Sequence, residues 1–86
     1  MEFFVYIIYS SSLDKYYVGQ TNNVNNRLIR HNKGLEKYTR KGTPWILKAF
    51  KGFPTRKQAM NEERRIKNFK SRKRIELWIE VVGAEK

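Results

Sequence analysis

The sequence predicts a small α/β domain of order ββαβαα, with one three-stranded sheet and helices packed against it. Three runs rich in aromatic and β-branched residues, at residues 3–9, 15–20 and 45–50, predict the strands. Apolar residues at helical spacing, each run preceded by a capping residue, predict the helices. The length of 86 residues allows one hydrophobic core, so we expect a single domain over residues 1–86.

The first two strands are expected to form a β-hairpin, because the polar segment 10–14 between them is typical of a turn. The pairing register does not follow from the sequence, yet it decides an important point. If paired positions sum to an odd number, Tyr6 and Tyr17 share one face of the sheet. If the sum is even, the two tyrosines lie on opposite faces.

The first helix is predicted to end at about Asn32. Residues 21–23 offer N-cap side chains, and Gly34 is the expected C-terminal stop. A narrow apolar stripe is formed by Val24, Leu28 and Leu35.

The third strand, at residues 45–50, is expected to be mostly buried because of its apolar composition. Thr55 fits the first position of a capping box, and the helix that follows is predicted to reach about Phe69. Ser71 is the expected cap of a last helix over about residues 72–82. The inward residues of these helices are predicted to be Ala59, Met60, Ile66, Ile75, Trp78, Ile79 and Val82.

Positive charge is concentrated in the middle of the chain. The net charge is +11, and residues 27–74 alone carry 17 Lys and Arg against three Glu, a net of +14. A field of this kind attracts polyanions and speeds their encounter. Nucleic acid is therefore the expected partner. The alternative is a basic surface that serves solubility or association with ribosomes or membranes.

The composition disfavours several other classes of protein. The chain contains no cysteine and a single histidine, which excludes disulfides and most zinc sites. The apolar run at residues 3–9 has no basic leader and is too short for a signal sequence or a membrane span. No Gly-rich phosphate loop is present. We expect a soluble, cytoplasmic protein.

Four tyrosines stand on the first two strands, at Tyr6, Tyr9, Tyr16 and Tyr17. Strand tyrosines usually pack, so composition alone favours a structural role for each of them. A phenol acts as a general base only if nearby cations lower its pKa from about 10. Gly19 follows on the same strand, and a glycine there marks a bulge or a close approach by another backbone or a ligand.

Arg27 and His31 are four residues apart, so they project from one side of the first helix, at the boundary between core and solvent. An arginine in that position is able to fork onto a phosphate. A histidine there is able to orient or deprotonate a tyrosine. Taken alone, however, a solvated arginine and an ordinary boundary histidine are the commoner situations.

Two adjacent carboxylates, Glu62 and Glu63, stand out within the basic region. Ion pairing with neighbouring Arg and Lys is their ordinary role and contributes little. The functional alternative is a hard cation, because Mg²⁺ is often held by one carboxylate together with waters and a phosphate. Helical phase favours Glu63 slightly, but the two become about equally central if Phe69 belongs to the helix. The residues alone leave this choice open.

These segments together resemble the GIY-YIG nuclease domain, in particular the short stand-alone proteins of the UPF0213 group. The resemblance covers about residues 3–75 and rests on five motifs in the family's order. They are Val5-Tyr6-Ile7 (with Val in place of the leading Gly), Tyr17-Val18-Gly19, Gly19-Gln20-Thr21 through Arg27 to His31-Asn32, Lys37-Tyr38-Thr39, and the run from Ala59 through Glu63 to Lys67.

The resemblance implies an antiparallel sheet flanked by helices and metal-dependent hydrolysis of a phosphodiester. Glu63, now preferred over its neighbour, would hold Mg²⁺ or Mn²⁺. Tyr6 or Tyr17 would help to deprotonate the attacking water. Arg27 would steady charge on the phosphate, and His31 would orient a tyrosine or relay a proton to it.

The resemblance also implies contacts with nucleic acid, with DNA favoured over RNA. The residues expected to make them are Gly19, Lys37, Tyr38, Arg40, Lys41, Arg64 and Lys67. Tyr9 and Tyr16 are expected to be structural. One departure from the family pattern concerns an asparagine that many members carry well beyond the glutamate: the last asparagine here is Asn68, only five residues past Glu63.

Three functions follow as hypotheses. The first is a structure-selective or unspecific endonuclease, and the second is a nucleic-acid-binding module without turnover. The third is a protein-interaction domain that uses the last helix, where Trp78, Val81 and Val82 would be partly exposed. A small basic domain of this kind is also open to a protein partner that supplies specificity.

Overall fold

A computed structural model describes residues 2–84, and its elements follow the predicted ββαβαα order. The strands are β1 (Phe3–Ser10), β2 (Lys15–Thr21) and β3 (Trp45–Phe53), and the helices are α1 (Val24–Asn32), α2 (Arg56–Lys67) and α3 (Arg72–Ala84). The strands form one antiparallel sheet in the order β2-β1-β3. The predicted fold class is therefore confirmed. The predicted domain bounds, residues 1 and 86, lie outside the described residues.

The sheet separates two apolar clusters, because successive residues of a strand point to opposite faces. The cluster beneath α2 and α3 consists of Val5, Ile7, Val18, Ala49, Ala59, Ile66, Trp78 and Val82. The cluster beneath α1 consists of Tyr6, Ile8 and Trp45, with Tyr17, Leu28, Leu47 and Phe50 packed against them. The central strand β1 supplies both clusters and thereby brings Tyr6 to the α1 face.

The register of the hairpin resolves the question that the sequence left open. Tyr6 pairs with Gly19, and Ile8 pairs with Tyr17, so paired positions sum to an odd number. Tyr6 and Tyr17 therefore share the face that α1 covers. Tyr9 and Tyr16 lie on the opposite face, where their rings are 5.0 Å apart.

The helix ends follow the predicted caps. The side chains of Asn23 and Thr55 each accept the backbone N–H three residues ahead, at 3.0 and 3.2 Å. Ser71 does the same for α3 at 3.4 Å. Gly34 follows the end of α1 with a φ of +73°, a left-handed conformation that glycine adopts without strain.

Several predictions of burial are wrong. Leu35 lies beyond the end of α1 and is exposed, and Met60 is exposed on α2. The strand β3 is not mostly buried: only Trp45 and Ala49 are buried, and Ile46 is exposed. The helix α2 ends at Lys67, which leaves Phe69 outside it.

The exposed part of α3 also differs from the prediction. Trp78 and Val82 are buried in the core, and only Val81 of the three predicted residues is exposed. Leu77, one helical turn before Val81, is exposed as well. Within the described part of the chain, every helix is too short or too polar to cross a lipid bilayer.

A charged network around Asp14 ties the hairpin turn to α3. Arg72 Nη2 donates to Asp14 Oδ1 at 2.7 Å, and the Tyr9 hydroxyl donates to the same oxygen at 2.5 Å. The hydrogen bond from Arg72 and, to a smaller extent, that from Tyr9 lower the pKa of Asp14 to about 2. The Arg72 guanidinium also lies 5.3 Å from the centre of the Tyr16 ring, so both tyrosines of this face make structural contacts.

Replacing Asp14 with asparagine is expected to lower the melting temperature at about pH 7, by an amount that shrinks as the pH falls. The folded-state pKa of Asp14 lies below the unfolded value of about 3.9, so the ionised group stabilises above about pH 4 and this contribution is lost as the pH falls towards 2. Asparagine suits the comparison because Asp14 has a φ of 53°, which asparagine tolerates. Thermal unfolding followed by circular dichroism measures the difference in melting temperature between the parent and the variant. A difference that does not change with pH would contradict this explanation.

Candidate active site

A buried pair, Tyr6 and His31, lies at the centre of the α1 face. Tyr6 Oη and His31 Nε2 share a hydrogen bond of 2.8 Å, and the two residues are only 1 % and 0 % exposed. Burial raises the pKa of Tyr6 and lowers the pKa of His31. Both shifts favour the uncharged forms, so the pair is a neutral hydrogen-bonded unit at neutral pH.

Gly19 lies directly beneath the tip of the Tyr6 ring. A Cβ atom at this position would be 2.5 Å from Tyr6 Oη and 2.6 Å from Cζ. The sequence predicted that another group approaches this glycine closely, and that group is the Tyr6 side chain. Gly19 is itself buried, and its predicted contact with nucleic acid stays a prediction.

Tyr17 is the more accessible of the two tyrosines on this face. Its ring is half-buried and lies 5.3 Å from the His31 ring, in an edge-on arrangement. The ammonium group of Lys67 lies 6.0 Å from the centre of the same ring. Tyr17 therefore connects the buried pair to the solvent and to a cation of α2.

Arg27 stands one helical turn before His31 on α1 and keeps a partly exposed guanidinium. Its Nε lies 3.1 Å from Glu36 Oε2, which makes an ion pair. The buried Nε–H does not align with that oxygen and makes no hydrogen bond within the described range 2–84. The charge of Arg27 also counteracts part of the effect of burial on the Tyr6 pKa. Arg27 thus retains its capacity to bind an anion.

Two neighbours of this cluster were not assigned a role from the sequence. Glu36 accepts a hydrogen bond from Arg30 Nε at 2.9 Å, which is the main reason that its pKa is lowered. Thr39 is buried, and its Oγ1 lies 2.6 Å from His31 Nδ1. The sequence does set Glu36 apart, because it is the first acidic residue of the basic stretch 27–74. The contact of Thr39 depends on the path of a loop, which local patterns do not encode.

The two glutamates of α2 point in different directions. Glu62 accepts two hydrogen bonds from Arg65, at 2.7 and 2.6 Å, and one from Trp78 Nε1 at 2.9 Å, so it joins α2 to α3. Glu63 pairs with Lys67 at 2.9 Å and lies close enough to Tyr6 for its charge to raise the pKa of that phenol. Glu63 is therefore the carboxylate on the tyrosine side of α2.

The sequence of this chain matches a known protein family. Residues 2–76 match the model of the GIY-YIG catalytic domain. The chain belongs to the GIY-YIG family. The resemblance inferred from the five motifs is thereby confirmed, and the family is one of nucleases.

Similar proteins carry the UPF0213 designation. The UPF0213 protein of Bacillus pumilus is 41 % identical over 71 residues, which cover 81 % of this chain and 71 % of that protein. The UPF0213 protein HQ_3675A of Haloquadratum walsbyi is 39 % identical over 75 residues, covering 86 % and 83 %. The solution NMR structure of the UPF0213 protein BH0048 from Bacillus halodurans matches with a TM-score of 0.60 and 33 % identity, covering 94 % of this chain and 85 % of that one.

The possible metal ligands of this GIY-YIG domain fit Mg²⁺ or Mn²⁺ better than they fit zinc. Glu63 and Asn68 line a common cavity of about 280 Å³, together with Met60, Arg64 and Lys67. Among residues 2–84, no three His, Asp or Glu side chains cluster in a way that could hold a metal. One carboxylate beside an open cavity suits Mg²⁺ or Mn²⁺, which retain waters and bind phosphate oxygens. It does not suit zinc, which needs three or four protein ligands.

The residues predicted to contact nucleic acid are exposed, apart from Gly19. Lys37, Tyr38, Arg40 and Lys41 belong to the loop between α1 and β3, and Arg64 and Lys67 lie beside Glu63 on α2. Tyr38 is 87 % exposed, so its ring is free to stack on an unpaired base. Thr39 anchors this loop to His31, which keeps it next to the tyrosines. The contacts with nucleic acid themselves stay predictions.

Proposed function

We propose that this GIY-YIG domain is a divalent-metal-dependent endonuclease that hydrolyses phosphodiester bonds in nucleic acid. DNA is the favoured substrate, and recognition is by structure or unspecific. The observation that carries the proposal is the grouping of a phenol, a guanidinium and a carboxylate around the neutral Tyr6–His31 pair. The half-exposed ring of Tyr17 lies 5.3 Å from the His31 ring. Arg27 and Glu63 both lie close enough to Tyr6 for their charges to act on that phenol.

Arg27 is suited to bind the scissile phosphate. Its Nε pairs with Glu36 without an aligned hydrogen bond, and the side chain is 33 % exposed, so guanidinium N–H groups remain for phosphate oxygens. Glu36 holds the side chain in place before substrate binds, and the helix α1 fixes its origin. A cation held in advance stabilises the charge that develops on the phosphate without reorganising during the reaction.

Tyr17 is the phenol that we assign to the attacking water. Tyr6 is almost fully buried, and burial raises its pKa, so it is poorly placed and poorly poised to take a proton from water. Tyr17 has solvent access and a cation, Lys67, near its ring. In this assignment the Tyr6–His31 pair holds the ring of Tyr17 in place, because the His31 ring packs against it.

Glu63 is the residue that would hold the metal. When bound, a divalent cation acts as a Lewis acid on the phosphate and lowers the pKa of a coordinated water. Glu63 must first leave its ion pair with Lys67. The released Lys67 ammonium then becomes available for a phosphate oxygen, which agrees with its predicted role in binding nucleic acid.

The test is a cleavage assay on branched, flapped and single-stranded DNA and on RNA, with Mg²⁺ or with a chelator. We expect Mg²⁺-dependent cleavage of at least one substrate, reduced about 10²-fold or more by Tyr17→Phe, because loss of a general base costs at least that much. Tyr16→Phe is the matched control, since Tyr16 lies on the other face and donates to Glu76. Cleavage that survives chelation, or that is equal in the Tyr17 and Tyr16 variants, would argue against the proposal.

A nucleic-acid-binding module without turnover is the second candidate. One observation favours it: the exposed Lys37, Arg40 and Lys41 need no metal to contact phosphates. Glu63, the residue that would hold the metal, is paired with Lys67. In that case every substrate would remain intact while binding persists. Affinity would then fall steeply with added salt, from a range of roughly 10⁻⁴ to 10⁻⁶ M at physiological salt, as expected for contacts with phosphates alone.

A further inference from the structure

The single histidine of the chain is enclosed by a row of hydrogen-bonding groups. His31 Nε2 lies 2.8 Å from Tyr6 Oη, and His31 Nδ1 lies 2.6 Å from Thr39 Oγ1. All three residues are at most 1 % exposed. Thr39 is anchored further, because its carbonyl accepts a hydrogen bond from Trp45 Nε1 at 2.7 Å. The ring of His31 is thus fixed at both nitrogens by buried hydroxyls.

A count of donors and acceptors assigns a direction to these bonds. A neutral imidazole has one N–H donor and one acceptor nitrogen. With the proton on Nδ1, His31 donates to Thr39 Oγ1, and Nε2 accepts the Tyr6 hydroxyl proton. The Thr39 hydroxyl then has its own acceptor in the carbonyl oxygen of Glu36, at 3.5 Å. Every donor in the row is satisfied.

The opposite tautomer leaves a donor without a partner. With the proton on Nε2, His31 would donate to Tyr6 Oη, and Nδ1 would accept the Thr39 hydroxyl. The Tyr6 hydroxyl proton would then need a second acceptor. Within residues 2–84, His31 is the sole hydrogen-bond partner of Tyr6 Oη, and the residue is closed to solvent. An unsatisfied buried donor is costly, so this arrangement is disfavoured.

We propose that Thr39 is a positioning residue that holds His31 as the Nδ1–H tautomer, so that Nε2 accepts the proton of the Tyr6 hydroxyl. Tyr6 then offers its proton to His31 and presents only acceptor lone pairs to any other group. The lowered pKa of His31, caused first by burial, agrees with a neutral ring. The tautomer rests on the geometry alone, whereas its importance for catalysis rests on the proposed nuclease function.

The tautomer is measurable by NMR on the ¹⁵N-labelled protein at about pH 8, above the ordinary histidine pKa of about 6.5. Because the chain has one histidine, its two ring nitrogens give signals without ambiguity. We expect a protonated Nδ1 and an unprotonated Nε2 in the parent protein. Thr39→Ser, which keeps the hydroxyl, should give the same pattern.

Thr39→Val removes the acceptor of Nδ1–H and should move both ring-nitrogen shifts towards those of a mixture of tautomers. A protonated Nε2 in the parent would overturn the proposal even if the valine variant fails to fold. Unchanged shifts in a folded Thr39→Val protein would overturn it as well. Neither result depends on cleavage, so failure here is distinguishable from failure of the Tyr17→Phe assay. If the domain is a nuclease, kcat should fall in the valine variant and recover in the serine variant.

Discussion

Under the proposed function, replacing Glu63 with glutamine is expected to reduce metal-dependent cleavage by about 10²–10³-fold, because loss of the proposed metal ligand would remove several kcal/mol of transition-state stabilisation. Glutamine keeps the volume of the side chain and removes its charge, so the cavity shared with Asn68 should persist. The rate under single-turnover conditions measures the effect on chemistry.

Binding of nucleic acid should survive the same change. In the parent protein Glu63 neutralises Lys67 at 2.9 Å, and the glutamine variant frees that ammonium group. We therefore expect equal or slightly tighter binding of an uncleaved substrate, with a stronger dependence on salt. Fluorescence anisotropy with labelled DNA in the presence of a chelator measures binding apart from cleavage.

Glu62→Gln is the matched control, because the neighbouring carboxylate has a different set of partners. Glu62 binds Arg65 and the indole N–H of Trp78, so its replacement should weaken the packing of α3 and leave cleavage largely intact. Equal loss of cleavage in the two variants would show that Glu63 has no special role. Cleavage by Glu63→Gln at the parental rate would indicate a contaminating nuclease or another metal ligand.

The parts of the fold that depend on local chemistry could be predicted from the sequence. Asn23, Thr55 and Ser71 cap their helices through bonds to residues three positions ahead, so the signal and its effect lie in the same segment. The register of the hairpin is different, since it depends on the conformation of a turn and on packing against α1. Tyr6 and Tyr17 could therefore be named from the sequence but not placed on one face.

Burial was harder to predict than secondary structure, because it depends on what lies opposite a residue. Met60 fits the apolar phase of α2 yet is exposed, because the helix contacts the sheet through Ala59 and Ile66. Ile46 looks like a core residue by composition, yet its side chain is exposed while Trp45 and Ala49 of the same strand are buried. Helical periodicity and composition do not show which side chains the other elements will cover.

In the candidate site, too, local features could be predicted from the sequence and contacts between segments could not. Arg27 and His31 could be paired from their spacing on one helix. The choice between Glu62 and Glu63 could not be made from helical phase, and a residue sixteen positions ahead, Trp78, distinguishes them in the structure. Thr39 reaches His31 through a loop of the chain. Contacts between segments of this kind need the three-dimensional arrangement.

Gly19→Ala is expected to destabilise the fold by about 1–3 kcal/mol and to separate Tyr6 from His31, because an added methyl group in a packed core forces neighbouring atoms to move. The new Cβ would lie 2.5 Å from Tyr6 Oη and 2.6 Å from Cζ, so removing the hydroxyl alone would not relieve the clash. Tyr6 is only 1 % exposed, and its hydroxyl is bonded to His31 Nε2 at 2.8 Å, so a shift of the ring away from the new methyl group strains that hydrogen bond. Urea unfolding measures the loss of stability, and the His31 Nε2 shift reports the broken hydrogen bond.

Gly52→Ala provides the matched control on another strand. There the nearest atom to an added Cβ is Glu2 Oε2 at 2.6 Å, the end of an exposed and flexible side chain that is able to move away at little cost. The half-buried ring of Phe4 lies 3.2 Å away and needs to shift by only a few tenths of an ångström. We therefore expect Gly52→Ala to leave both the unfolding midpoint and the His31 signal nearly unchanged. Equal effects of the two alanines would mean that the close approach of Tyr6 does not account for the glycine at position 19. A large loss at Gly19 alone would tie this glycine to the hydrogen bond on which the His31 tautomer depends.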